Sequence, residues 1–433
     1  MRRLYRCRLM SRLLVRRSLT AVGIYSSVAL GFLATVVAAR QFDSKVVFGL
    51  YTIVISASGF FQILLDLTVE EAVVKYGFRY VAREDWGRLR DLYRNALGVK
   101  LAGAALGTAA LLVLAPFGER IFGHSGLETA LFVSAGIPLG QAVEGLAGTA
   151  LYLHGRYDIR SAFLVWSMVL RLVALWLGAP HGLVTAVVAV VLAQALSSTT
   201  VGVAGLLAFR RFPHAARVPL GEDRREIVSF VVQSSVASGV TSVRNYLTPL
   251  LLGIVSTAAQ VGLFNVAKSP QSGFQALSAP ARMVLLTEQT RDWEHGRRTV
   301  VMRGIRNYSA LAALLMVVAV PPLYWFMPEL VRLVYKSTYA GATDAARVFL
   351  FAAAVQFLVG WTKSFPVTIG RPHLRILTNG AEALVVVPLT IVFGLLWGAT
   401  GAAGAVLAGT CVFAAMWGVI AMRVEAVDVV PSS

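Results

Sequence analysis

The chain has 433 residues, of which 57% are hydrophobic and 14% charged, with a mean hydropathy of +0.69. A soluble protein of this size needs far more charge to cover its surface, so the composition points to an integral membrane protein. The net charge of +18 does not indicate a nucleic-acid binder, because the basic residues sit in short clusters between long apolar runs.

The first element is a basic tail, 1–18, followed by an apolar run over 19–39. The tail resembles the basic region of a signal peptide, but the run behind it is long enough to span a bilayer rather than be cleaved. Further runs follow at 46–66, 96–116, 128–151, 161–179 and 183–209. The segment "RRFPHAARVPLGEDRRE" (210–226) reads as a cytoplasmic linker. Six more runs come after it, at 227–255, 259–281, 307–328, 345–369, 376–397 and 399–422, and a tail of 423–433 ends the chain. If the N-terminus is cytoplasmic, 29 of the 40 Lys and Arg fall in cytoplasmic segments and six in external loops. That asymmetry predicts twelve transmembrane helices with both termini inside.

The stretch "GRYDIR" (155–160) recurs as "GRPHLR" (370–375), in the turns before the fifth and eleventh runs. "FGLY" (48–51), "DW" (85–86) and "RNAL" (94–97) echo in the same order as "GLF" (262–264), "DW" (292–293) and "RNYSAL" (306–311). The predicted architecture is therefore all-α: an N-lobe over 19–209 and a C-lobe over 227–422, two parallel six-helix repeats around a central cavity. In each Gly-Arg-x-x-x-Arg turn the glycine ends a helix; the arginines either hold the turn or touch lipid head groups.

No catalytic constellation is present, and the two cysteines, Cys7 and Cys411, make no disulfide framework or metal site. What stands out is ionisable residues inside apolar runs, where charge is costly. Arg244 lies beside Asn245 and Tyr246, one turn before Pro249. Lys268 lies among Asn265, Ser269, Gln271 and Ser272, and Pro270 interrupts that helix. Two readings stay open for these cations: an anion site in a polar cavity between the lobes, or ion pairs to Glu144 or Glu382. Tyr25, Ser26 and Gln62 would add polar groups from the first two helices. Arg171 is expected to pair with Glu144 and Lys363 with Glu382, whereas Lys100 is placed to reach water from a helix end. Glu144 and Asp66 could instead carry H⁺ or Na⁺ for coupling.

The stretch "FGLYTIVISASGFFQILLDLTVEEAVVKY" (48–76) resembles the second-helix signature of the polysaccharide transporter branch, O-antigen translocase type, of the multidrug/oligosaccharidyl-lipid/polysaccharide (MOP) flippase superfamily. Gly49, Tyr51, Asp66 and Leu67 match that signature, and Thr68 stands where the family usually has Gly. The "GR" turns and the twelve-helix count are similar too. The resemblance implies a multi-pass protein of the bacterial inner membrane, not an enzyme. It would flip a polyprenyl-diphosphate-linked oligosaccharide, a lipopolysaccharide O-antigen precursor, to the outer leaflet. It needs no cofactor beyond H⁺, Na⁺ or the membrane potential, and its partners would be membrane lipids and the polysaccharide polymerase and ligase machinery. It also implies that Arg244 and Lys268, on the seventh and eighth helices, contact the diphosphate. A cation-coupled drug or metabolite exporter and a membrane glycosyltransferase or polymerase are the alternatives.

Overall fold

The computed structural model describes residues 2–65, 68–277, 289, 292, 293, 295–371 and 373–427; the side chains of 2–17, 237, 238, 241–244, 275–277, 367 and 425–427 lie outside the described set. Asp66 and the side chain of Arg244 therefore fall outside it. The elements are helical, and nine helices among the described residues are long and apolar enough to cross a membrane. The chain divides into two compact units. Unit 1 holds Met1–Asp43 and Val54–Gly239; unit 2 holds Ser44–Ile53 and Val240–Ser433.

Unit 1 begins with α1 (Arg2–Gln41), so the expected basic tail is the start of the first helix. At 1.5 Å per residue α1 is about 60 Å long, roughly twice a bilayer core. Next come α2 (Lys45–Leu65), α3 (Val69–Ala82), α4 (Trp86–Leu114), α5 (Gly118–Phe122) and α6 (Leu127–Ser134). The unit continues with α7 (Gly136–Leu153), α8 (Tyr157–Gly178), α9 (Leu183–Phe209) and the first part of α10 (Asp223–Ser242). α1 lies along α8, and α7 packs on α4 and α9.

The short helix α3 organises one end of this unit. Val69, Val73, Tyr76 and Tyr80 recur at helical spacing on its buried face. They share a core with Leu89 and Leu92 of α4, Leu146 and Leu153 of α7, and Phe212, Leu220 and Ile227. The segment 210–226, expected as a linker, is thus built into unit 1. Trp86 and His154 both stack on Phe212, at ring-centroid distances of 5.6 and 4.1 Å. Asp91 accepts hydrogen bonds from Arg217 (2.6 and 2.9 Å) and from the Leu220 N–H (3.3 Å). Arg79 donates twice to Glu226 (both 3.0 Å), Tyr76 once (3.2 Å), and Tyr80 donates to Asp223 (2.8 Å). The Arg79 hydrogen bonds hold the Glu226 carboxyl below its ordinary range, and burial pushes the Tyr76 and Tyr80 phenols up.

Unit 2 contains the start of α2, then α11 (Thr248–Val255), α12 (Ala258–Ala267) and α13 (Ser269–Leu277). It continues with α14 (Arg298–Trp325), α15 (Met327–Tyr335), α16 (Thr343–Leu358), α17 (Phe365–Thr368) and α18 (His373–Val427). The start of α2 belongs here for steric reasons. Side chains at Gly49 and Gly262 would collide with the backbone of α12 and α2 respectively, so their absence lets the two helices touch. Gly398, at φ 57° and ψ −130°, kinks the 55-residue α18. At that kink the Gln260 Oε1 accepts the Ala399 N–H (2.9 Å).

The expected runs 227–255 and 259–281 are both broken helices. A π-helical turn, Val243–Leu247, separates α10 from α11 just ahead of Pro249. The second break falls at Lys268, just ahead of Pro270. Proline has no N–H for the carbonyl four residues back, so the helix is weakest there. The repeated Gly-Arg turns share a backbone: Gly155 has φ 66° and Gly370 has φ 68°. In each, the following arginine N–H reaches back to a carbonyl five residues earlier, at 2.9 Å. That is the left-handed helix stop expected of glycine.

Candidate substrate pocket

Two polar sites emerge from these helices, one in each unit, and they differ in how their polar groups are met. In unit 2 the π-turn and the break at Lys268 meet around a pocket of about 310 Å³ lined by Asn245, Tyr246, Lys268, Gln271 and Ser272. The π-turn presents Asn245 and Tyr246 together; the start of α13 presents Gln271 and Ser272. Lys268 caps α12, its N–H bonded to the Phe264 carbonyl at 3.1 Å, and is the one charged residue among the described residues of the lining. Gln271 is 4% exposed, yet its amide forms no hydrogen bond to another described residue, and neither does that of Asn245. Both amides face the cavity and are open to a ligand or water there. The pocket offers one cation, two amides and two hydroxyls, a donor-rich set suited to an anion.

In unit 1 a series of side-chain amides leads to a carboxylate. Gln62 donates to Gln141, Gln141 to Gln194 (2.8 Å), and Gln194 to the Glu144 carboxylate (2.8 Å). Ser198 donates to the same carboxylate oxygen (3.0 Å), and Arg160 faces the other at 3.7 Å. Beside this chain, Lys100 is buried and pairs with Glu70 at 2.7 Å. Lys100 therefore does not reach water, because a carboxylate from the start of α3 meets it inside. The ion pair at Glu144 is with Arg160 of the Gly-Arg turn, whose guanidinium turns inward.

Of the residues expected to bind substrate, the structure brings Asn245, Lys268 and Gln271 together. Asn265 is committed to Thr52 by a 3.0 Å hydrogen bond, and Gln62 to Gln141. Tyr25 is exposed and Ser26 half-buried on α1; neither lines the pocket. Arg171 is half-buried on α8, Glu382 is buried on α18, and Lys363 is exposed in the turn before α17. Tyr246 and Ser272 enter the lining although the sequence marked them only as neighbours of the two cations; their adjacency to helix-breaking prolines was the available signal.

Comparison with known proteins supplies a family and a fold. The family model described as polysaccharide biosynthesis protein matches residues 17–286. A search of curated sequences gives no match. Among solved structures, the lipid II flippase MurJ in an inward closed conformation matches with TM-score 0.70 and 12% identity, over 92% of this chain and 86% of that one. An inward-facing multidrug resistance MATE family transporter of the MOP superfamily also matches with TM-score 0.70, at 14% identity, over 97% and 99%. A MOP superfamily transporter from Pyrococcus furiosus, described by the reverse polarity of its binding pocket, matches with TM-score 0.63 and 14% identity, over 96% and 97%.

Proposed function

The chain belongs to the polysaccharide biosynthesis protein family, and from that premise and the cationic pocket we propose that it is a membrane flippase. It moves a polyprenyl-diphosphate-linked oligosaccharide, a cell-surface polysaccharide precursor of the O-antigen kind, from the cytoplasmic to the outer leaflet of the bacterial inner membrane. It performs no bond chemistry. The observation that carries this reading is the lining of the pocket by Lys268, Asn245 and Gln271, with the Tyr246 and Ser272 hydroxyls.

A diphosphate brings roughly two negative charges to midspan, where each unpaired charge costs at least about 2.5–3.5 kcal/mol. Charge-assisted hydrogen bonds from Lys268 and the amides offset that cost. The volume suits a head group rather than a whole glycan, so the lipid tail stays in the bilayer. Arg244, on the same π-turn, is a second candidate diphosphate contact. A membrane potential of 100 mV, inside negative, favours outward movement of the anion by about 2.3 kcal/mol per charge. Coupling to H⁺ or Na⁺ is an alternative drive.

The span count that fits this reading is twelve. The nine long helices become ten when α18 is split at Gly398, and the broken pairs α10–α11 and α12–α13 supply two more. The two halves are then parallel six-helix repeats with both termini cytoplasmic, and alternating access moves each as a body. Polysaccharide polymerase and ligase proteins would receive the flipped product.

The MATE family match, equal in TM-score to that of the lipid II flippase, makes a cation-coupled drug exporter the second reading; a pocket lined by a lysine disfavours cationic drugs. Gene deletion followed by mass spectrometry of membrane lipids separates the two. Accumulated polyprenyl-diphosphate oligosaccharide supports the flippase. Unchanged lipids with altered drug susceptibility support the exporter.

A further inference from the structure

The break at Lys268 is held by a side chain from a distant helix. Because Pro270 has no N–H, the Val266 carbonyl loses the donor a continuous helix would give it. Ser269 replaces that donor, its Oγ donating to the Val266 carbonyl at 2.7 Å. With its proton so used, Ser269 Oγ accepts from the Tyr335 hydroxyl, 2.5 Å away. Tyr335 is the last residue of α15 and is 2% exposed. Its ring packs edge-on to Tyr339 at 6.3 Å, and Tyr339 packs edge-on to Phe48 at 5.8 Å. A rigid aromatic stack thus aims one hydroxyl at the residue between Lys268 and Pro270.

We propose that Tyr335 is a positioning residue of the transport site: through Ser269 it fixes the break that turns Lys268 and Gln271 into the pocket. The relay Tyr335 O–H to Ser269 O–H to the Val266 carbonyl replaces the missing backbone bond and fixes the angle between α12 and α13. One residue of rotation in an α-helix turns a side chain by about 100°, so a loosened break moves Lys268 and Gln271 out of register with Asn245 and Tyr246. The assignment rests on the reading of the pocket as a diphosphate site, but the geometry it invokes can be measured without that ligand.

The test uses the purified full-length protein in detergent with two readouts: the affinity for inorganic diphosphate, and the rate of Lys268 acetylation by a water-soluble succinimidyl ester, followed by mass spectrometry. Tyr335→Phe removes one oxygen and keeps the ring stack. It is expected to weaken diphosphate binding about ten-fold, the worth of one hydrogen bond at an otherwise intact site, and to change the acetylation rate several-fold, with the unfolding midpoint unchanged. Ser269→Ala is expected to match it, the double variant to add nothing further, and Ser269→Thr, which keeps the hydroxyl, to restore both readouts. Wild-type binding and labelling in Tyr335→Phe would overturn the proposal. If Tyr335→Phe fails to fold, Ser269→Ala against Ser269→Thr decides it, and equal behaviour of those two overturns it. If wild-type protein does not bind diphosphate while Tyr335→Phe still shifts Lys268 labelling, the ligand reading falls and the positioning role stands.

Discussion

The polar chain ending at Glu144 and the pocket around Lys268 both place partly buried ionisable groups on apolar helices, and they meet them in different ways. Glu144 is closed: both carboxylate oxygens meet partners from α8 and α9, and the amides of Gln194, Gln141 and Gln62 lead away from it in an unbroken series of donors. Lys268 stands at a helix break beside the amides of Asn245 and Gln271, which face a cavity. The cluster at Glu144 holds its carboxylate with hydrogen bonds from Gln194 and Ser198 and a 3.7 Å approach of Arg160, whereas the polar groups around Lys268 face a cavity. The number of charges inside a span says less about function than the count of partners each one already has.

The largest expected effect falls on the open site. Lys268→Glu should abolish polysaccharide export, with protein levels unchanged by immunoblot; normal export would remove the anion site from consideration. The closed site should fail differently. Glu144→Ala strands Arg160 and should cost about 3–5 kcal/mol of stability, seen as a lowered unfolding midpoint and lost protein. Replacing both partners, as Glu144→Met with Arg160→Met, should recover much of that, because a buried pair exchanged for apolar groups is often near neutral. A double variant that folds but does not export would break the contrast between the units and give Glu144 a part in coupling. Smaller again, Asn245→Ala or Gln271→Ala should each weaken diphosphate binding about ten-fold, as befits one hydrogen bond to a charged group, while leaving the unfolding midpoint in place.

Hydropathy made the spans legible, including the division of α18 at Gly398 and the weakness of the helices near Pro249 and Pro270. Lys268, Gln271 and Asn245 stand near helix-breaking prolines in the sequence, and the structure brings them to one cavity. Asn265 and Gln62 meet partners that no local pattern announces: Thr52 and Gln141 lie 213 and 79 positions away in sequence. Lys100 and Arg160 were misread for the same reason, since each is neutralised by a carboxylate from another helix. The segment 210–226 looked like a tether by composition. Its role depends on Phe212 entering an aromatic stack and Arg217 finding Asp91, pairings that no local pattern announces.

The smallest expected effect concerns that segment and sharpens the contrast from the surface. Glu226 is held by Arg79 and Tyr76, with Lys75 nearby on the same helix and Asp223 on its own. Its folded carboxyl lies below the ordinary range, so it supports the folded state at neutral pH, and that support fades as pH falls below the usual glutamate value of about 4.3 and through the depressed one. The raised Tyr76 and Tyr80 phenols work at the other end, where their contribution is full below pH of about 10 and is lost as the pH climbs through their raised values. Protection factors for hydrogen exchange over the first turns of α10 should therefore be high near neutrality and fall under acid before the long apolar helices open. Glu226→Gln should exchange faster than wild type at neutral pH and lose the acid step, because the group that titrates is gone. Identical exchange in the two proteins at neutral pH would show that the buried faces of α3 and Phe212 alone hold the segment and that its ions are incidental. The surface pair would then be weaker than the interior one not in degree but in kind, since only a partner that excludes water makes a charge hard to give up.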